Sequence, residues 1–235
     1  GYPTNSFFIY EFDGFIKDEA DLADYKTKMK GGVPTNLRVG DAKYVDKDGD
    51  GVLEPTLYKE GDPNSGDIVY KGTNNQRYLY GINLGLDWKG IDVSAFLQGV
   101  GKWDCINGTY AGGGEVWKQS SQYFYHNTWS PDRPNAEYPR LTQDGGIHGY
   151  NYQWSDAPYK FFNNRYLRLK EVQIGYTFPT TLTKKIGVEK LRVYATGMNL
   201  LEWDNLPNGF DPEAPYTENL IPFSRTYSIG VNVQF

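Results

Sequence analysis

The chain has 235 residues, a formal net charge of −5 and a mean hydropathy of −0.64. Its acidic balance argues against a nucleic-acid partner, whose phosphates call for a surplus of lysine and arginine, and no run approaches the ~20 apolar residues of a membrane-spanning helix. A single cysteine, Cys105, excludes an internal disulfide framework.

The pattern of alternation, taken in chain order, predicts strands at six places. Asn5 to Phe12 places Phe8, Tyr10 and Phe12 on one side and Phe7, Ile9 and Glu11 on the other, a ragged first strand over 5–12. Asp18 to Lys30 instead shows helical spacing. Leu22, Tyr25 and Met29 share a face, acids crowd the first turn, lysines the last, and Asp24 stands four residues before Lys28. Alternation returns over 78–88, with Tyr78, Tyr80, Ile82, Leu84, Leu86 and Trp88 facing away from Leu79, Gly81, Asn83, Gly85 and Asp87. Lys89-Gly90 predicts a tight turn into a returning strand over 91–101. The segment 165–178 sets Val172, Ile174, Tyr176 and Phe178 against Glu171, Gln173, Gly175 and Thr177, and Pro179 ends it. Leu191, Val193, Ala195 and Gly197 carry the pattern through 190–199. The last strand, 224–235, alternates strictly from Tyr227 to Phe235.

Strands with one greasy face and aromatic ends form the sequence signature of a transmembrane β-barrel, in which only alternate residues touch lipid. One register directs Ile82, Leu84, Val172, Ile174, Ile229 and Val231 to lipid and Asn83, Gln173, Asn232 and Gln234 to the lumen. The expected fold is all-β: about six antiparallel strands of a large transmembrane barrel in a bacterial outer membrane. The short connections, 89–90 and 179–190, would be periplasmic, and 13–77, 102–164 and 200–223 would be long extracellular loops. The smallest barrels have about 8 strands, and no secretory signal opens the chain. The expectation is therefore the C-terminal part of a larger polypeptide. The rival from another class is a soluble β-rich carbohydrate-binding or adhesion module.

Two constellations carry candidate chemistry. Asp46, Asp48 and Asp50, with Gly51 for the turn, the Val52 carbonyl and Glu54, match the first nine positions of an EF-hand calcium loop. The twelfth position holds Leu57 rather than an acid. A segment from Pro55 to Gly66 interrupts the pattern, so Glu60, Asp62 or Asp67 would have to complete the shell from a distance. Without an ion, the same residues would form an acidic turn held by side-chain-to-backbone hydrogen bonds. The second constellation is aromatic. Trp103, Trp117, Trp129, Tyr150, Tyr152 and Trp154 offer ring faces on which sugar C–H groups stack, although rings of this size also fill loop cores. No nucleophile elbow, phosphate loop, dinucleotide fingerprint or zinc spacing around His126 and His148 is present, so no catalytic residue is expected.

Several blocks resemble a known family. Asn164-Arg-Tyr-Leu-Arg-Leu-Lys-Glu-Val-Gln-Ile-Gly-Tyr-Thr-Phe-Pro179 is similar to the "YLRLKNVTLGYTLP" block of SusC/RagA-type TonB-dependent outer-membrane transporters of Bacteroidetes. Leu191 to Leu200 with Gly209-Phe-Asp-Pro-Glu213 resembles that family's "RVYLSGQNL…GYDPE". Asn127-Thr-Trp-Ser-Pro with Asn135 to Leu141 resembles "WTPENPNAKYPRL". The resemblance implies part of a roughly 22-stranded plugged barrel that imports glycans or possibly peptides. It further implies a SusD-like surface lipoprotein as partner and energy from the TonB complex. The plug, the remaining strands and the TonB contact would lie in parts of the parent without counterpart here. It also ties Phe235 to recognition by the barrel-assembly machinery.

Overall fold

A computed structural model of the chain describes residues 1–106, 126–140, 156–158, 161–206, 211–213 and 224–235. In chain order its elements are β1 (Ser6–Tyr10), β2 (Phe12–Phe15), α1 (Glu19–Lys28), β3 (Ala42–Tyr44), β4 (Ile68–Thr73), β5 (Arg77–Trp88), β6 (Ile91–Lys102), β7 (Asp104–Ile106), β8 (Phe161–Asn163), β9 (Tyr166–Thr177), α2 (Thr180–Thr183) with a following 3-10 turn (Lys184–Ile186), β10 (Lys190–Asp204) and β11 (Thr226–Gln234). They divide into two units: Gly1–Asn75 with Asp104–Phe162, and Gln76–Trp103 with Asn163–Phe235.

The second unit is an antiparallel sheet in the order β11-β10-β9-β6-β5. Five of the expected membrane strands are present and pair as alternation requires. Leu86, Val93, Ile174, Ala195 and Ile229 line up across all five strands, and the adjacent row is Gly85, Ser94, Gln173, Thr196 and Ser228. Apolar and polar rows therefore alternate along the strands, which gives the sheet one apolar and one polar face. Ile229 is 84% exposed, as a lipid-facing residue is when only protein surrounds it. Lys89 and Gly90 both take left-handed backbone angles (φ 47° and 88°), the two-residue turn that matches strand twist. A side chain at position 90 would also strike the Thr177 carbonyl at 2.7 Å.

One irregularity re-aims a charge. Phe96 opposes Glu171, but Leu97 opposes Leu169, so Lys170 is an additional residue on β9. β10 steps past the same level between Met198 and Leu201, with Asn199 at φ 54°. The run Leu-Arg-Leu-Lys-Glu-Val-Gln-Ile is thus two alternating patterns out of phase by one residue. Without this bulge Arg168 would fall on the same face as Val172 and Ile174; with it, Leu167 and Leu169 take that face and Arg168 turns to the polar side.

The first unit packs apolar side chains inward. Tyr10, Ile16, Leu22, Tyr25, Met29, Leu37, Ala42, Tyr44 and Leu53 form one buried cluster. The expected helix is α1, capped by Asp18, whose carboxylate accepts the Asp21 N–H at 2.8 Å. Leu22 and Tyr25 enter the core, and the Asp24–Lys28 pair closes at 2.6 Å on the exposed side. Around Glu11, Lys71 approaches at 2.8 Å and also reaches Asp156 at 2.9 Å, while Lys47 binds the other carboxylate oxygen.

Three expectations change. The first segment, 5–12, is no part of the large sheet: β1 pairs with β4 in a separate two-stranded sheet. Ile9 and Tyr10, successive residues that a one-sided strand would send to opposite environments, are both buried, so this segment is packed on two faces. The strand expected at 190–199 continues to Asp204, because Leu201 and Trp203 resume the apolar row beyond the irregularity. The stretches 13–77 and 102–164, expected as long loops, contain beside the expected α1 most of β2, then β3 and β4, and the paired strands β7 and β8.

Candidate functional site

The acidic turn folds by local hydrogen bonds. Asp46 accepts the Gly49 and Gly51 N–H groups, both at 2.8 Å; Asp48 accepts from Asp50 at 3.2 Å, and Asp50 from Val52 at 2.6 Å. Gly49 and Gly51 hold left-handed angles, and Lys30 ties the turn to the unit by donating to the Asp50 carbonyl at 2.7 Å. Asp67 lies fully buried beside the turn. It accepts the Lys47 N–H at 2.5 Å and the Glu54 N–H at 2.8 Å, which clamps both ends of the acidic segment.

Carboxylate oxygens of Asp46, Asp48 and Asp67 lie within 4.8 Å of one another. Asp50 and Glu54 stand outside this group. Leu57, at the position where an EF-hand carries its last acid, makes a bridge with Ile68 beside Asp67. Asp67 thus brings a third carboxylate beside Asp46 and Asp48 from outside the linear motif. Burial pushes the Asp67 carboxyl above the ordinary range against the pull of its two backbone donors, and the charges of Asp48 and Asp46 push the same way. Tyr10 is pushed up to about 12, by burial first and then by Asp67 and Glu54. A carboxylate has about four lone-pair positions, so each of the three retains acceptor capacity for a hard cation beyond its backbone bonds.

The aromatic candidates divide. Trp103 is 6% exposed, and its carbonyl accepts the Asn164 N–H at 2.7 Å, so its ring offers no open platform. Trp129 is packed against Gly40, where a Cβ would meet the indole at 2.3 Å and φ is +90°. Trp117, Tyr150, Tyr152 and Trp154 lie outside the described residues.

On the polar face of the large sheet stands a cluster that residue spacing did not single out. Arg168, 1% exposed, pairs with Glu202 at 2.5 Å, with Asp211 at 2.7 Å and with Glu213. Lys170 reaches Glu213 at 2.6 Å, the Tyr166 hydroxyl donates to Glu213 at 3.0 Å, and the Asn164 amide donates to the Pro212 carbonyl at 2.8 Å. The segment 211–213 is thereby fastened to the sheet's polar face. Nearer the short-turn end, Arg192 pairs with Asp92 and donates to Gln173 at 2.8 Å, bridging three strands. Gly175 makes room for that bridge, since a Cβ there would lie 2.5 Å from the guanidinium. The signal available in sequence was a charged residue amid leucines in Leu167-Arg168-Leu169, together with the acids of Asp211-Pro-Glu213.

No family model matches the chain. It is 28% identical over 229 residues to "TonB-dependent receptor P3" of Formosa agariphila, covering 90% of the chain and 21% of that protein. It is also 28% identical over 216 residues to "TonB-dependent receptor P26" of the same organism, covering 84% and 20%. The chain thus spans about a fifth of the length of these curated relatives. Among solved structures, it resembles the RagAB peptide importer in its "open-open" state with TM-score 0.63 and 22% identity. The whole chain aligns to 23% of that one. The RagAB peptide transporter gives TM-score 0.62 and 25% identity, again over the whole chain and 23% of the neighbour. These relatives are receptors and transporters rather than enzymes. Blocks, strand register and likeness along the chain's length converge: it is an outer-membrane β-barrel segment similar to those of TonB-dependent receptors.

Proposed function

We propose that the parent of this chain imports oligomeric nutrients, oligosaccharides or peptides, through a lumen whose wall includes the polar face of this sheet. The TonB complex would energise the step through portions outside this chain, and a SusD-like lipoprotein would deliver substrate at the surface. The observation that carries this reading is the two-faced sheet. Its outward rows are apolar from edge to edge, and its inward rows present Ser94, Gln173, Thr196 and the Arg192–Asp92 bridge, groups that hydrate a passing polar solute. Oligosaccharide remains the leading class because of the aromatic wealth of the chain. The peptide reading is favoured by the solved neighbours, which are described as peptide importers. Growth of a strain lacking the parent, on a defined oligosaccharide or peptide pool as sole source, tests both. Normal growth on every such source would remove import from consideration.

A structural calcium ion at the acidic turn is the second part of the proposal. Convergence of Asp46, Asp48 and the buried Asp67 supports it, with the Val52 carbonyl, Asp50 and Glu54 as the remaining oxygens within the motif. Such an ion would stiffen the first unit rather than act on substrate. Calorimetric titration of the intact transporter with calcium, before and after Asp48→Ala and Asp67→Asn, should show affinity lost in both variants. Unchanged heats in both would leave a turn held by its own hydrogen bonds.

A further inference from the structure

The two short connections of the large sheet solve the same problem in different ways. Lys89-Gly90 closes β5 onto β6 with two residues, whereas β9 and β10, equally adjacent, are joined by Phe178 to Glu189. That longer connection is folded. Leu182 and Thr183 donate to the Pro179 carbonyl at 2.9 and 3.3 Å, Val188 donates to the Thr183 carbonyl at 3.1 Å, and Gly187 ends the turn at φ 75°. Thr183 and Val188 form its buried side. Leu182 in α2 is 55% exposed and Ile186 in the 3-10 turn is 71% exposed. Beside them Lys184 and Lys185 are exposed, and Lys190 follows; Glu189 is the one acid between 179 and 190.

Two large aliphatic residues exposed on one short folded connection are suited to an apolar or membrane contact. Apolar residues flanked by lysines are the arrangement of a helix lying in a membrane interface. Continuity gives the second argument. The same end of the sheet carries its aromatic border on the apolar face: Trp88, with the Lys89 ammonium 4.9 Å above its ring, and Tyr176 packed edge-on against Phe178 at 5.0 Å. Tyr176 on β9, and Val231 and Val233 on β11, are exposed on that face. An aromatic belt with cations beside it marks the headgroup level of a bilayer. We infer that the connection Pro179–Glu189 is a membrane foot: Leu182 and Ile186 enter the leaflet on the short-turn side, and Lys184 and Lys185 bind the phosphates of anionic phospholipid.

The full parent transporter in nanodiscs of phosphatidylethanolamine and phosphatidylglycerol provides the test. A nitroxide at Ile186→Cys, with the buried Cys105 left in place, should be reached by dissolved oxygen far better than by a water-soluble nickel chelate. The reverse order would place the foot in water and overturn the inference. Native mass spectrometry then reads headgroup selectivity. The K184Q/K185Q variant should retain phosphatidylglycerol about fivefold less per lysine removed, with retention of zwitterionic phosphatidylethanolamine unchanged. Equal retention of phosphatidylglycerol by variant and parent would overturn the role of the lysines. Both lysines are exposed, so these changes leave barrel assembly intact, and the labelled protein gives the depth result independently. The outcome does not depend on which nutrient the transporter carries.

Discussion

The two units apply one driving force in opposite directions. In Gly1–Asn75 with Asp104–Phe162, Ile16 is fully buried among tyrosines and leucines, and Glu11 meets Lys47 and Lys71 where all three are partly exposed. In the large sheet, Ile82, Leu84, Ile174 and Ile229 are exposed, and Arg168 is enclosed. The first is the arrangement of a domain in water; the second is inside-out, as lipid requires. Mean hydropathy averages over both and reports neither. The period of the apolar residues separates them.

The comparison makes graded predictions. The largest effect belongs to Arg168→Ala in the parent protein, which leaves Glu202, Asp211 and Glu213 without the guanidinium they share. Losing one partner of a buried ionic network costs ~3–5 kcal/mol, so the variant should melt well below the parent. Adding Glu213→Gln should recover part of the loss; no difference between parent and single variant would show the network to be idle.

Leu37→Ala in the water-type unit should cost ~2–5 kcal/mol by opening a cavity, read as faster hydrogen exchange confined to that unit. At the lipid-type face the corresponding change is Ile229→Arg. Reversible folding into vesicles should record ~2–4 kcal/mol if Ile229 is near the midplane, and much less for Asn232→Arg on the polar face. Equal penalties at the two positions would contradict the assignment of faces.

A smaller effect is expected from pH. Lys47 and then Lys71, bonded to Glu11, hold its carboxyl below the usual carboxylate range. A depressed folded value contributes stability that is present above the unfolded pKa of ~4.3 and lost as pH falls through the folded value. The parent should therefore exceed Glu11→Gln in exchange protection of the first unit at neutral pH, and the gap should close in acid. Asp41 and Asp67 act with the opposite sign, since burial pushes both carboxyls up. Their contribution is present below the unfolded value and lost as pH rises through the folded one, so only the difference between parent and variant isolates Glu11. The smallest effect is at Asp24→Ala. Its partner Lys28 is exposed on α1, and such pairs contribute little; the melting temperature should not move measurably.

Much of this was legible because it is local. Alternation with period two set the faces of β5, β6, β9 and β11; Lys89-Gly90 announced its turn, and Asp18 with Leu22, Tyr25 and Met29 announced α1. The family blocks pointed to the barrel. What misled was also local. The segment 5–12 is apolar enough for a membrane strand, yet apolar residues on both sides of a strand equally suit a small sheet packed on both faces, and only its pairing with β4 decides.

The sequence by itself determined which residues could share a face, since backbone geometry ties side-chain direction to position along a strand or helix. Tertiary structure alone decided which distant groups meet. Asp67 joins Asp46 and Asp48 across twenty residues, Lys71 reaches Glu11 across sixty, and Arg168 meets acids 34 to 45 positions away. The Lys170 bulge shows why the two kinds of information differ. One inserted residue leaves composition and local propensity almost unchanged, but it inverts every side chain before it. Only the ladder with β6 and β10 shows that Arg168 lies on the polar face of the sheet rather than the apolar one.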